Sequence, residues 1–276
     1  MKVLEQRVIT GNSGRVIPEL IKRNEVGTYH LCVTSPPYWN LVEYNAGCGD
    51  LSMMKSEEEF TKELTSIYKG ISRLLTPRGT LVSQWEDLTI RRPDGRTGEY
   101  MLSCINDAAE SAGMTLYARW IWKKFIKKPT YMPSSFDMAC SGLARPNPNW
   151  SYAFVYKQDS KTDMNPEKTE VTREEWSLWS DGVWDFPNPG VEIHNTPFAP
   201  ELVDRFLKLY TNQGDKVLDP FGGSGTTLNQ CIDNCRACTI IELDLKYVDG
   251  IKKRVSWGRQ SLGYKYSYVY EDMSKL

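Results

Sequence analysis

The stretch that most constrains the fold is Val217-Leu218-Asp219-Pro220-Phe221-Gly222-Gly223-Ser224-Gly225-Thr226-Thr227. Lys216-Val217-Leu218 has the character of a short strand, and it runs into a glycine-rich turn that opens a helix. Glycines there let the backbone approach a ligand closely and put helix N–H groups at its disposal. No lysine follows the last glycine, which excludes a Walker phosphate loop. A strand that feeds a helix through such a turn belongs to an α/β sheet, where ligands sit outside the carboxyl ends of the strands.

A second strand end lies far upstream. The apolar run Tyr29-His30-Leu31-Cys32-Val33 reads as a buried strand and leads into Thr34-Ser35-Pro36-Pro37-Tyr38-Trp39-Asn40. Consecutive prolines, each with a locked φ and no N–H, stop the strand and fix a sharp exit turn. The carbonyl of Ser35 or Pro36 is thereby left without a ladder partner, beside a hydroxyl and ahead of an aromatic ring. Two acceptors and a flat ring suit a planar group that bears an amine. A proline-stiffened loop with a surface tyrosine is the other reading of the same residues.

The rest of the chain supplies the sheet. Residues 2–9 read as a first strand, a turn follows at Gly11–Gly14, and a short helix runs from Arg15 to Arg23. Leu41 to Met54 reads as a loop, either a lid beside the proline turn or plain surface. Ser56 followed by three glutamates starts a helix whose apolar positions recur from Phe60 to Leu74. Further strands are expected at 80–85, 115–122, 151–156, 216–218 and 239–241, with a helix from Glu99 to Ala112. Gln84 to Asp87, at the exit of the strand expected at 80–85, reads either as site residues or as a polar loop, and the loop is favoured. Seven strands with helices between them predict a doubly wound sheet.

Composition narrows the class. With 276 residues, 40% hydrophobic and 25% charged, the chain can bury one large α/β core. A net charge of −1 and a pI near 6.2 give no global basic field, so any nucleic-acid contact must rest on a local patch. The densest patch is Arg119, Lys123, Lys124, Lys127 and Lys128, interleaved with Trp120, Trp122, Phe125 and Tyr131. Such residues neutralise phosphates and stack on bases, but they also describe a solvated strand edge over buried aromatics. Seven cysteines fit reduced thiols in a cytoplasm. Of these, Cys231, Cys235 and Cys238 are spaced like cluster ligands, although three small buried hydrophobes account for them better. No apolar run reaches membrane length, no signal peptide stands at the N-terminus, and no metal site is expected.

Together, Ser35-Pro36-Pro37-Tyr38 and Asp219-Pro220-Phe221-Gly222-Gly223-Ser224-Gly225-Thr226-Thr227 resemble the catalytic motif and cofactor loop of the DNA amino-methyltransferases. That family methylates exocyclic amines using S-adenosyl-L-methionine. Catalytic motif before cofactor loop is the order of its permuted beta group. The resemblance implies one class I methyltransferase domain over 1–276, Rossmann-like, with a seven-stranded mixed sheet that includes one antiparallel strand. It places a small target-recognition insertion between the motifs, within the irregular region 123–192.

Site residues follow from the same resemblance. Ser35 and Pro36 would hold the amine hydrogens and draw the nitrogen towards tetrahedral geometry, with Pro37 fixing the turn. Tyr38 would stack on a base extruded from the duplex, and direct transfer would need positioning and electrostatics alone. Asp219, Phe221, Gly222, Gly223, Ser224, Gly225, Thr226 and Thr227 would cradle the cofactor. Glu242, at a strand end, would hold the ribose hydroxyls, with Asp244 as a less favoured substitute. His194 to Phe198 resembles a further family motif, which places Phe198 at the cofactor. Many relatives carry Gly-Asp after the first strand to contact adenine; here the pair is Gly11-Asn12, and a carboxamide can still pair with an adenine edge.

A serine before the two prolines favours cytosine N4 by family habit, with adenine N6 as the alternative and a non-catalytic DNA-binding protein as the reading from another class. The absence of any Pro-Cys pair excludes a C5-cytosine mechanism. Double-stranded DNA is the expected partner, contacted by Trp39, Arg119, Lys123, Lys124, Lys127 and Lys128. A partner restriction endonuclease, a monomeric or homodimeric state and a cytoplasmic location in a bacterial, archaeal or phage setting complete the expectation.

Overall fold

The computed structural model describes residues 2–39, 50–86, 89–91, 97–99, 101–125, 150–158, 170–187, 198–254 and 263–276. Asn40 to Gly49, Lys127, Lys128, Tyr131 and His194 lie outside them.

The strands are β1 (Lys2–Thr10), β2 (Tyr29–Thr34), β3 (Leu75–Glu86), β4 (Thr89–Arg91), β5 (Thr97–Glu99), β6 (Met114–Phe125), β7 (Trp150–Gln158), β8 (Val183–Pro187), β9 (Lys216–Asp219), β10 (Ala237–Glu242) and β11 (Tyr264–Asp272). Nine of them form one sheet in the order β11-β1-β10-β9-β2-β3-β7-β6-β8, and β4 and β5 pair separately. Within the large sheet only β7 runs against its neighbours; the other pairings are parallel. The expected single antiparallel strand is therefore present, but the expected count of seven is corrected to nine. The additions are the two edges, β8 and β11.

Each edge strand has a physical reason for escaping the sequence reading. β8 is only five residues long, with Trp184 and Phe186 buried and Val183 and Asp185 turned outwards. In β11 the alternating residues are tyrosines, and Tyr264, Tyr266, Tyr268 and Tyr270 stay only partly buried against the core. A half-wet tyrosine stripe gives a weaker signal than a run of aliphatics. β3 is also longer than expected: Leu75 already pairs with Tyr29, and the strand continues through Gln84, Trp85 and Glu86.

Helices cover both faces. On one lie α1 (Ser13–Lys22), α2 (Glu57–Leu74) and α3 (Met101–Ser111), whose Val16, Ile17, Leu20, Phe60, Leu64, Ile71 and Ile105 share a core with Cys32, Leu81 and Leu218. On the other lie α4 (Arg173–Trp179), α5 (Pro200–Tyr210), α6 (Thr226–Asp233) and α7 (Leu245–Arg254), which pack Trp179, Phe206, Leu228 and Ile251 onto Leu31, Val33 and Val217. Successive residues of β2 and β9 thus serve opposite layers, as a two-faced sheet requires. In α2 the Ser56 side chain accepts the Glu59 amide at 3.1 Å, and Glu57, Glu58 and Glu59 occupy the positive end of the helix dipole.

The centre of the sheet positions the site. β2 and β9 are hydrogen-bonded neighbours, with Leu31 opposite Val217 and Cys32 opposite Leu218. From β9 the chain continues to β10 on one side, and from β2 to β3 on the other. This is the topological switch point, where diverging connections leave a crevice outside the strand ends. Both sequence motifs emerge into it.

Candidate active site at the switch point

Asp219 ends β9 as a fully buried carboxylate. Its Oδ1 accepts from Thr34 Oγ1 at 2.7 Å and from the Phe221 amide at 3.0 Å, while Oδ2 accepts from Thr227 Oγ1 at 2.6 Å. Burial is the main influence on its pKa and raises it; the hydrogen bonds pull the other way. Thr34 immediately precedes Ser35, so one carboxylate ties the proline turn to the glycine turn across 185 residues of sequence. Ser13 Oγ at the start of α1 also donates to the carbonyl of Pro220, which fastens the turn from a third side.

The glycine turn is shaped by its own backbone. Gly223 has φ +48 and Gly225 φ +82, left-handed values that disfavour side chains. A Cβ on Gly225 would also stand 2.8 Å from Ile251 of α7. Gly225 donates to the Gly222 carbonyl at 2.8 Å, and α6 begins at the next residue. Glu242, at the end of β10, accepts the Gly223 amide on Oε2 and the Asp244 amide on Oε1, each at 2.7 Å. Burial pushes its pKa up to about 7 against those two hydrogen bonds, and the charges of Asp244 and Asp219 add to the rise.

A cleft enclosing about 970 Å³, part of it open to solvent, is lined by Asn12, Ser35, Pro37, Phe198, Asp219, Phe221, Gly222, Gly223, Ser224, Thr226, Thr227 and Glu242. Nearly every residue assigned to the cofactor by resemblance thus meets in one cavity; Gly225 is set behind it. Asn12 caps α1, its Oδ1 accepting the Gly14 amide at 2.8 Å, while still facing the cleft. Asp50, Leu51, Glu63, Ile67, Leu243, Asp244 and Tyr247 also line it. Of these, only Asp244 was legible in the sequence.

Of the proline turn, Ser35 and Pro37 reach the cleft, while Pro36, Tyr38 and Trp39 are not among its lining residues. Ser35 Oγ donates to Gln84 Oε1 at 2.7 Å, so Gln84, read as part of a polar loop, is a buried strand residue that orients the hydroxyl. Tyr38 is 2% exposed and packs edge-on to Trp85, ring centroids 5.8 Å apart. Trp39 is buried against Phe60 and donates Nε1 to the Met54 carbonyl at 2.8 Å. Both rings belong to the core on the α2 side of the sheet.

The basic cluster is also divided. Strand alternation sends Lys123 and Lys124 to opposite faces of β6. Lys123 pairs with Asp185 at 3.2 Å on the exposed side. Lys124 is largely buried, forms an ion pair with Glu86, and has its pKa lowered to about 8 by that burial. A phosphate contact there would first have to break the pair with Glu86. Arg119 lies over the Tyr152 ring at 5.8 Å. The three cysteines are buried as small hydrophobes, Cys231 within α6, Cys235 beyond its end and Cys238 in β10. Among the described residues no helix is long and apolar enough to cross a membrane, and no acidic, histidine or cysteine cluster suits a metal ion.

A doubly wound sheet with an acidic, glycine-turned cleft at its switch point fits an α/β protein that binds a nucleoside-type cofactor, and the comparisons with known proteins refine that class. Residues 29–253 match the DNA methylase family designated N6_N4_Mtase. Type II methyltransferase M.XycI of Xanthomonas campestris pv. cyanopsidis is 26% identical over 263 residues, spanning 83% of this chain and 82% of that protein. M.BglI of Bacillus subtilis is 31% identical over 153 residues, which cover 55% of this chain but only 42% of that longer protein. Among solved structures, a DNA modification methylase termed putative, from Thermus thermophilus and in complex with S-adenosyl-L-methionine, superposes with a TM-score of 0.71 at 24% identity, covering 98% of this chain and 99% of that one. The cytosine-N4-specific PvuII DNA methyltransferase gives 0.67 at 20% identity, with 95% and 89% covered. The chain belongs to this family: it is a DNA methyltransferase of the amino-methylating kind.

Proposed function

We propose that the chain transfers a methyl group from S-adenosyl-L-methionine to the exocyclic N4 amine of cytosine in double-stranded DNA. The observation that carries this reading is the junction of Ser35 with the cofactor turn through Thr34 and Asp219. The residues present fit the cofactor. Glu242 offers a carboxylate suited to two vicinal hydroxyls, Phe198 and Leu243 offer apolar surface, and the acidic wall suits a molecule that carries a sulfonium and an ammonium. When bound, the cofactor supplies an electrophilic methyl group.

The protein's own contribution is acceptor geometry. An exocyclic amine is a poor nucleophile because its lone pair is delocalised into the ring. With its proton committed to Gln84, the Ser35 hydroxyl presents lone pairs to the cleft and can accept an amine hydrogen. A carbonyl of the proline turn would accept the second and so localise the nitrogen lone pair. Such preorganised acceptors act without reorganising during the step. The target base must leave the duplex to reach a cleft at the strand ends. Motif order, with the proline turn ahead of the glycine turn in the chain, supports membership of the permuted beta group. The type II naming of the relatives supports a role beside a restriction endonuclease.

Ser35→Ala tests the assignment. Removing one of two acceptors should lower turnover by about 10²-fold or more, by comparison with the loss of a single oxyanion donor. Cofactor affinity measured by calorimetry should stay within a factor of about two, since the cofactor's other contacts remain. Undiminished methylation by this variant would remove Ser35 from the reaction.

A further inference from the structure

Among the described residues lining the cleft, Asp50 is the carboxylate with a fully buried oxygen that no hydrogen bond reaches. It is 4% exposed and lines the same cleft as Asp219 and Glu242. Its Oδ1 accepts the Ser52 amide at 2.9 Å, capping the short turn Leu51–Met53. Its Oδ2 is buried and has no hydrogen-bond partner among the described residues. Asp219 and Glu242 differ, because both oxygens of each are already bonded to protein donors. A buried carboxylate oxygen without a donor is costly, and native proteins retain such groups where a ligand completes them. Lysine, arginine and histidine are absent from the described residues lining the cleft, so no protein cation among them can serve.

We infer that Asp50 is a cofactor-binding residue whose Oδ2 accepts an N–H hydrogen of S-adenosyl-L-methionine. This rests on the cofactor assignment above. The molecule carries two kinds of N–H donor, the α-ammonium of its methionine part and the amine of its adenine. Either satisfies the geometry, and the two can be told apart by experiment. Asp50 lies beyond the proline motif in the chain and belongs to neither sequence motif, so no residue pattern identified it.

Asp50→Asn is nearly isosteric. Its amide oxygen can still cap Ser52, while an NH2 replaces the accepting Oδ2. Two readouts follow, both on the full chain without DNA. Calorimetric titration with S-adenosyl-L-methionine should show affinity weakened by roughly tenfold or more, the scale of a lost charge-assisted hydrogen bond. Thermal unfolding of the ligand-free variant should show a melting temperature equal to or above wild type, because an uncompensated buried charge has been removed. 5′-Methylthioadenosine, which keeps the adenine but lacks the amino-acid part, separates the donors. Weakened binding of both compounds assigns the adenine amine; weakening confined to S-adenosyl-L-methionine assigns the ammonium. Unchanged affinity for both would overturn the inference, as would a lowered melting temperature with unchanged affinity, which marks a merely structural cap. Failure of the wild-type protein to bind S-adenosyl-L-methionine at all would instead refute the cofactor assignment itself.

Discussion

Glu242 gives the most quantitative handle on the site. Its carboxyl is held near 7 against an ordinary value of 4.5, chiefly by burial. That gap corresponds to roughly 3 kcal/mol between the protonated and ionised forms. A carboxyl raised in the folded state binds its proton more tightly there than in the unfolded chain. The ligand-free protein is therefore stabilised by this group below pH 4.5, and that contribution is lost as pH rises from about 4.5 through about 7. Glu242→Gln should abolish the dependence while keeping the side-chain volume. Urea unfolding of both proteins at half-unit steps from about pH 5 to 8 isolates the group, because other titrating residues cancel in the difference. The wild-type curve should fall relative to the variant by up to about 3 kcal/mol, most of it between about pH 5 and 7. Cofactor affinity should move in the opposite sense. Ribose hydroxyls need the ionised acceptor, so wild-type affinity should drop by up to about tenfold per pH unit below about 7, relative to the variant. Parallel pH profiles for the two proteins would show that Glu242 is neither strained by burial nor a ribose ligand.

Further outcomes follow from contacts around the two turns. Thr34→Val keeps the shape but removes one donor from buried Asp219, which should cost about 1–3 kcal/mol in chemical denaturation and lower turnover as the turns lose register. Tyr38→Ala should cost about 3–5 kcal/mol as a core truncation as well as turnover, while Tyr38→Phe keeps the melting temperature within a few degrees. Because Lys124 is committed to Glu86, Lys124→Met should leave the salt dependence of DNA binding unchanged, whereas a phosphate-bound Lys123 would lower the slope by about 0.9 when replaced.

The two turns were legible because their physics is local. Consecutive prolines after a β-rich run, and glycines between a strand and a helix, fix the backbone wherever the rest of the chain goes. Their adjacency was inferable only through the rule that ligands gather at strand ends, and the β2–β9 pairing realises it. Gln84 stayed ambiguous between site and loop because one polar residue at a strand exit looks the same whether it faces solvent or a neighbouring serine. Tyr38 and Trp39 were read as ligand-facing since sequence cannot tell which side of a turn a ring will pack, and here both join Trp85 and Phe60. Lys123 and Lys124 looked like one patch because proximity in sequence ignores strand alternation. Of the edge strands, β8 is too short for a periodic signal despite burying Trp184 and Phe186, and the tyrosines of β11 are only half-buried.

The central claim is the identity of the methylated atom. Unmethylated duplex DNA incubated with the protein and S-adenosyl-L-methionine, then digested to nucleosides and resolved by mass spectrometry, reads that atom directly. The account predicts N4-methylcytosine, with Ser35→Ala reducing its yield by about 10²-fold or more. N6-methyladenine as the sole product would contradict the cytosine assignment while keeping the family, and 5-methylcytosine would contradict the acceptor mechanism built on Ser35.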